Sequence, residues 1–372
     1  MPFSKNKPDP GIALAVSGGG FRATLFHLGS LWRLNQLGYL PKLERISSVS
    51  GGSITAGYLG LKWNALQFDA AGRAANYEQL IVTPLRAFCT KDIDVLAVGA
   101  GALIPGKKAS DFVEKTYRDS LFGDATLQQL PDRPRFVINS TNFATGVSFR
   151  FSKPFAADYR IGMIKDPSFR LSLAVTASSA FPPVLSPVVI HPDPNAFTRT
   201  DGADLYDAPG YRQELILTDG GVYDNLGLET VWNRYDTILV SDAGAPFAFT
   251  AAPDTSWAKQ ALRAADVATA QSRALRKRAL IADFEDKARQ GVYWGIMTEI
   301  AAYKLADALP VPLARTQELA AMRTRLSEFN EQEQCHLINW GYAVCDAAMR
   351  THMGAPNQPA AAWPYPQFAL DK

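Results

Sequence analysis

Three short segments hold residue types suited to acyl-transfer chemistry. The first is Gly18-Gly19-Gly20-Phe21-Arg22-Ala23, a run of bare peptide amides followed by an arginine. The second is Ser48-Val49-Ser50-Gly51-Gly52, and the third is Asp219-Gly220-Gly221, a carboxylate on a glycine turn. Consecutive glycines leave N–H groups uncovered, so that with a helix N-terminus they can face negative charge. Two ligands fit that description. One is a dinucleotide pyrophosphate, because Gly18-x-Gly20-x-x-Ala23 follows the loose glycine pattern of such sites. The other is the oxyanion of a tetrahedral acyl-transfer intermediate. A dinucleotide site also wants an acid at the C-terminal end of the second strand. Glu44 precedes that strand, and Ser50 stands at its end instead.

A serine between small residues at a strand-to-helix transition matches a nucleophile elbow. Ser50 has small neighbours on both sides at the expected offsets, whereas Ser47, Ser48 and Ser53 do not. Ser48 occupies a position where the usual pattern has glycine, and Gly52 lets strand and helix approach. The plainer alternative is a turn with an N-cap serine. A serine hydroxyl needs a proton acceptor to attack. Of the four histidines, His27 lies in a helical pattern, His191 follows a proline-rich stretch, and His336 and His352 fall near the C-terminus. Asp219 is the better candidate base, since an apolar strand delivers it onto Gly220-Gly221. A carboxyl with an ordinary pKa near 3.9 is a weak base, which burial and direct contact with Ser50 would correct.

The elements that must position these groups follow from hydrophobic periodicity. Residues 11–16 form a continuous apolar run suited to a strand buried on both faces, and 21–37 repeat apolar residues at helical spacing. A second strand over 45–49 and a second helix reaching about residue 61 give βαβα order, which implies a parallel sheet. Residues 135–140 and 147–152 suggest a hairpin, and 214–218 and 237–241 further strands. From about residue 251 the pattern turns helical, over 258–289 and 314–349. The expected division is a catalytic α/β core over 1–250, a helical appendage over 251–353, and an irregular Pro- and Ala-rich tail over 354–372. The uncharged stretch 171–192 contains Pro182, Pro183 and Pro187, so it reads as buried strand and loop, not as a membrane span.

The 372 residues are 47% hydrophobic and 20% charged, which suits a large core and excludes disordered and collagen-like classes. Lysine and arginine number 38 against 36 acids, a net charge of +2, so no nucleic-acid partner is expected. Cys89, Cys335 and Cys345 are too few and scattered for a disulfide framework or a zinc site. Asp201, Asp204 and Asp207 lack calcium-loop spacing. No metal and no cofactor is expected. The first ten residues lack the apolar core of a secretory signal, so the expected localisation is cytoplasmic with peripheral membrane contact. Two segments could meet lipid: apolar residues 95–105, and the basic run from Arg273 through Arg276, Lys277 and Arg278. Buried core and a solvated helix face are the plainer readings of each.

Taken in order, Ser17-Gly18-Gly19-Gly20-Phe21-Arg22-Ala23, the Ser50 elbow, Ala177-Ser178-Ser179-Ala180-Phe181-Pro182 and Asp219-Gly220-Gly221 resemble the patatin-like phospholipases, with Phe-Arg-Ala nearer their cytosolic branch. The resemblance covers roughly residues 10–245. It implies a three-layer α/β fold with a mostly parallel sheet between helices, here with a C-terminal helical appendage. It implies a Ser50–Asp219 dyad acting on carboxylic esters of lipids, with Gly18, Gly19 and Gly20 forming the oxyanion hole. Arg22 would hold a substrate phosphate or polarise the site, and Gly52, Gly220 and Gly221 would support the turns. Two other readings stand beside it: a Ser-His-Asp hydrolase, for which His336 is the available histidine, and a non-catalytic lipid-binding module. Headgroup, acyl chain and oligomeric state are left open.

Overall fold

The computed structural model describes residues 8–94, 108–354 and 361–371, so the apolar stretch 95–105 lies outside them. The chain opens with β1 (Asp9–Val16), α1 (Gly20–Gln36), β2 (Leu43–Val49) and α2 (Gly51–Lys62). Two shorter helices, α3 (Thr83–Phe88) and α4 (Ala109–Tyr117), precede β3 (Arg135–Asn142) and β4 (Val147–Ser152). Then come β5 (Phe155–Asp158), β6 (Gly162–Lys165), α5 (Leu171–Ser179), β7 (Val188–Ile190), β8 (Phe197–Thr198) and β9 (Leu215–Asp219). The last elements are β10 (Tyr235–Asp242), α6 (Trp257–Glu285), β11 (Gln290–Gly295), α7 (Leu313–Ala321) and α8 (Glu331–His352).

All eleven strands share one sheet, in the order β11-β10-β1-β2-β3-β4-β5-β6-β8. From β11 to β3 the neighbours are parallel, as βαβ crossovers require. From β3 onward pairing becomes antiparallel, beginning with the β3–β4 hairpin, and β9 joins β3 antiparallel with β7 beside it. β1 shows why two helical layers are needed. Its side chains alternate, sending Leu14 and Val16 into one apolar cluster and Ala13 and Ala15 into another on the opposite face. The first cluster is closed by α1, α2 and α8, and the second includes Leu280 of α6 with Ile238 and Val240.

Two elements differ from the sequence reading. Residues 171–179 are a buried helix, not strand and loop. Leucine and alanine favour a helix in those nine residues, and the prolines begin only after it ends. Residues 290–295 form β11, which pairs in parallel with β10, where only helix was expected. α8 is buried along most of its length and packs against α1. Residues 361–371 return to α8, where Asn339 Nδ2 donates to the Tyr365 and Phe368 carbonyls, both at 2.9 Å.

α1 and α8 are joined by buried charge. Arg33 meets Asp346 at 2.6 Å with side chains 5% and 1% exposed, and Arg350 binds the same carboxylate at 3.4 Å. Removing one partner strands the others in low dielectric. Asp346→Ala should therefore lose about 3–5 kcal/mol of folding free energy in urea denaturation.

Candidate active site

Ser50 is the hinge between β2 and α2, and its backbone lies at φ 52°, ψ −123°. Among the described residues three other non-glycines have positive φ, namely Asp166, Lys287 and Lys304, and all three are exposed. Ser50 is buried, 7% exposed. Such strain persists only where the surroundings over-determine it. Here the Ser50 N–H donates to Ser178 Oγ at 2.9 Å, and Ser178 Oγ donates to the Asn139 carbonyl at 2.6 Å. Ser53 Oγ lies 2.9 Å from both Ser178 Oγ and Ser48 Oγ, so the hydroxyl that replaces the usual glycine at 48 has a partner. Gly51 cannot be another residue, because a Cβ there would collide with the Gly20 carbonyl. Gly52 lies against the Ser17 carbonyl in the same way. The serine turn and the glycine turn are thus pressed together.

The glycine turn ends β1 and begins α1. Gly18 N–H donates to the Asn225 carbonyl at 3.1 Å, and Phe21 N–H to the Arg325 carbonyl at 3.1 Å. Between them, the Gly19 and Gly20 amides have no hydrogen-bond acceptor among the described residues. Beneath the turn, His27 Nε2 donates to the Ser17 carbonyl at 2.9 Å while Nδ1 accepts from Ser241 Oγ at 2.8 Å. Burial holds this imidazole's pKa down at about 4, so it is neutral at physiological pH.

Asp219 ends β9, opposite Ser140 of β3, and is 2% exposed. Its own N–H donates to the Ala180 carbonyl at 3.0 Å, and its carbonyl accepts from Thr141 Oγ1 at 2.9 Å. Gly220 N–H donates to the Ser178 carbonyl at 3.2 Å. Oδ1 accepts from Gly221 N–H at 2.7 Å. Burial raises the carboxyl's pKa to about 6, against the opposing pull of hydrogen bonds from the Ser50 side chain and Gly221 N–H. Ser50, Asp219 and the two open amides therefore meet at one edge of the sheet.

Arg22 does not join them as a phosphate ligand. It is 1% exposed, and Nη1 donates to the carbonyls of Ala320 at 2.6 Å and Met322 at 2.9 Å. Nη2 donates to the Ala243 carbonyl at 2.7 Å. Burial lowers its pKa to about 10, which leaves it cationic. The guanidinium instead ties the glycine turn to a strap, residues 320–326. At Gly20, where φ is +58°, a Cβ would collide with the Thr324 carbonyl of that strap. His336 stacks edge-on with Phe368 at 6.0 Å, on α8. The basic run also turns inward in part: Arg273 binds Asp242 at 2.9 Å, and Arg276 lies 3.7 Å from Asp224 and 3.5 Å from Glu229. Among the described residues there is no group of side chains suited to hold a metal ion, and Asp204 and Asp207 pair with Arg160 and Arg199. Also among them, no helix is long and apolar enough to cross a membrane.

Sequence reasoning missed Ser178, Asn139, Asn225 and the strap. Ser178 stood in a segment already noted, where the run of small residues was the available signal. Asn139 follows the apolar run Phe136-Val137-Ile138 of β3 and carries no local signal, and the strap meets the glycine turn through main-chain carbonyls.

The family model for patatin-like phospholipases matches residues 14–232. The chain belongs to the patatin-like phospholipase family. Among solved structures it is similar to human GIVD cytosolic phospholipase A2 in complex with methyl gamma-linolenyl fluorophosphonate, at 17% identity and a TM-score of 0.55. It is likewise similar to human GIVD cytosolic phospholipase A2, at 14% identity and a TM-score of 0.54. Both alignments cover 93% of this chain and 58% and 59% of the human chains, so this chain spans under two thirds of their length. At such identities the likeness establishes a shared patatin-like α/β fold. No curated protein matches the sequence.

Arg22→Met would orphan two buried carbonyls and a partly buried third, and should lower stability by at least about 2 kcal/mol in thermal unfolding. Arg22→Lys should recover only part, because an ammonium lacks the fork that spans them. Any loss of turnover should be equal for phospholipid and uncharged ester; a loss confined to phospholipid would return the arginine to phosphate binding.

Proposed function

We propose that this chain hydrolyses carboxylic esters of lipids, with Ser50 as nucleophile and Asp219 as base. The supporting observation is a buried serine held at positive φ against a buried carboxyl whose pKa is raised to about 6. Ser50 Oγ attacks the ester carbonyl carbon as its proton passes to Asp219. The amides of Gly19 and Gly20, with Gly18 shaping their turn, meet the oxyanion. Collapse expels the alcohol or lysolipid, which takes the proton from Asp219. Water then attacks the acyl-serine and gives its proton to Asp219, and collapse releases the carboxylic acid as Asp219 returns that proton to Ser50 Oγ. Gly52, Gly220 and Gly221 serve as supports for the two turns.

Ser50→Ala should lower kcat by about four orders of magnitude or more in an ester assay, and should no longer take up a fluorophosphonate. The human relative was solved with a reagent of that class. His336→Ala should keep its activity, and its loss would favour the Ser-His-Asp reading. Lipid turnover is the reading's central test: a wild-type protein inert toward a panel of phospholipids, lysophospholipids and neutral esters would refute it.

The base must be ionised, so kcat/KM should rise as pH passes through about 6 and level off above it. Folding stability should run the other way. A carboxyl whose pKa is higher folded than unfolded stabilises the fold below its unfolded value, and that contribution disappears as pH rises through about 6. The penalty at pH 8 is on the order of 3 kcal/mol. Asp219→Asn should therefore be inactive yet melt higher than wild type at pH 8, with the gap closing toward pH 4.

A further inference from the structure

Beyond Asp242 the chain does not return to the sheet at once. It climbs beside α6 and reverses at Ser256, and three contacts fix that course. Arg273 of α6 donates to the Ala245 carbonyl at 2.6 Å, Arg263 lies 4.1 Å over the Phe247 ring, and Lys259 binds Asp254 at 2.7 Å. α6 has one fully buried residue, Leu280, close to its C-terminal end. Residues 257–272 include none, and at 1.5 Å per residue they extend about 24 Å past the part that packs. The resulting arm rises from the edge of the sheet where β1 and β10 end. Its base touches the glycine turn, since a Cβ on Gly19 would come within 3.0 Å of the Ala243 carbonyl.

The arm is apolar where a solvated projection would be polar. Phe249 is 92% exposed, Trp257 84% and Leu262 52%. Phe249 stacks edge-on with Phe247 at 5.8 Å, beside the Arg263 guanidinium. Between residues 257 and 278 the helix carries six cations and one acid, Asp266. Arg273 and Arg276 face inward to acids, while Arg263 and Arg278 have no acidic partner among the described residues. Aromatic rings and a tryptophan beside the unpaired Arg263 are the chemistry of a segment lying at an anionic lipid interface.

We propose that residues 245–263 are a membrane-docking arm, in which Phe249, Trp257 and Leu262 enter the headgroup boundary of an anionic bilayer and Arg263 meets its phosphates. Docking turns the sheet edge that carries Ser50 toward the lipid surface. The functional importance of docking rests on the lipid-hydrolase reading; the binding itself does not.

The test is co-sedimentation with vesicles of phosphatidylcholine and phosphatidylserine at about four to one. Wild type and Ser50→Ala should bind alike. Phe249→Ser with Trp257→Ser should bind at least about tenfold more weakly. Arg263→Glu should weaken binding to these vesicles and leave binding to pure phosphatidylcholine unchanged. Hydrolysis of a short soluble ester should be the same in the double variant as in wild type, which also shows that it folds. Equal vesicle binding by double variant and wild type overturns the arm, as does a wild type that does not bind. Loss of self-association in the double variant, without loss of vesicle binding, assigns the arm to a second copy and overturns the lipid assignment. Arm-dependent binding without any acyl release sinks the hydrolase reading and leaves docking standing.

Discussion

Ser50 stays at positive φ because two turns are wedged against each other, and the remaining architecture serves that contact. Gly51 meets the Gly20 carbonyl and Gly52 the Ser17 carbonyl, so neither turn can move without the other. The wedge exists because β1 and β2 are adjacent and parallel, which brings both strand ends to one edge. α5 then closes the third side. Ser178 at its C-terminal end holds the Ser50 amide through its hydroxyl, and the carbonyls of Ser178 and Ala180 receive the amides of Gly220 and Asp219. A strained residue on a mobile loop would relax. Here the Gly20 and Ser17 carbonyls and the Ser178 hydroxyl hold the residue in place.

The electrostatics divide two buried aspartates that end β10 and β9, with β1, β2 and β3 between them. Asp242 has Arg273 and the Tyr293 hydroxyl, and these outweigh burial and hold its carboxyl below the usual range. Asp219 is answered only by hydrogen bonds from Ser50 and Gly221, and burial wins. A cation near Asp219 would keep it ionised but would make it a poorer proton acceptor. The same separation explains Arg22. Its guanidinium is occupied by three carbonyls and leaves the carboxyl unneutralised, while the neutral His27 adds no charge beneath the turn.

Much of this was legible in the sequence because glycines, a small-flanked serine and an Asp-Gly-Gly turn are local signals of backbone geometry. β1, β2, the β3–β4 hairpin and α1 followed from periodicity alone. The helix at 171–179 was misread because the prolines beyond it were allowed to govern residues they do not touch. β11 was missed because Gln290–Gly295 is short and mixed in polarity, and its partner β10 lies some fifty residues earlier. The surroundings of Arg22 were out of reach for a related reason. The residue type suits phosphate, and only the folded chain shows three carbonyls already waiting for it.

The strap that grips the glycine turn lies beyond residue 232, where the family match ends. Ala320, Met322, Thr324 and Arg325 all reach the turn through carbonyl oxygens, which every amino acid possesses. The exposed Thr324 and Arg325 could change type without loosening the clasp, whereas Ala320 and Leu326 are held to small and apolar types by the core. Kinship judged by side chains will fall silent there, even though the polypeptide path is under constraint.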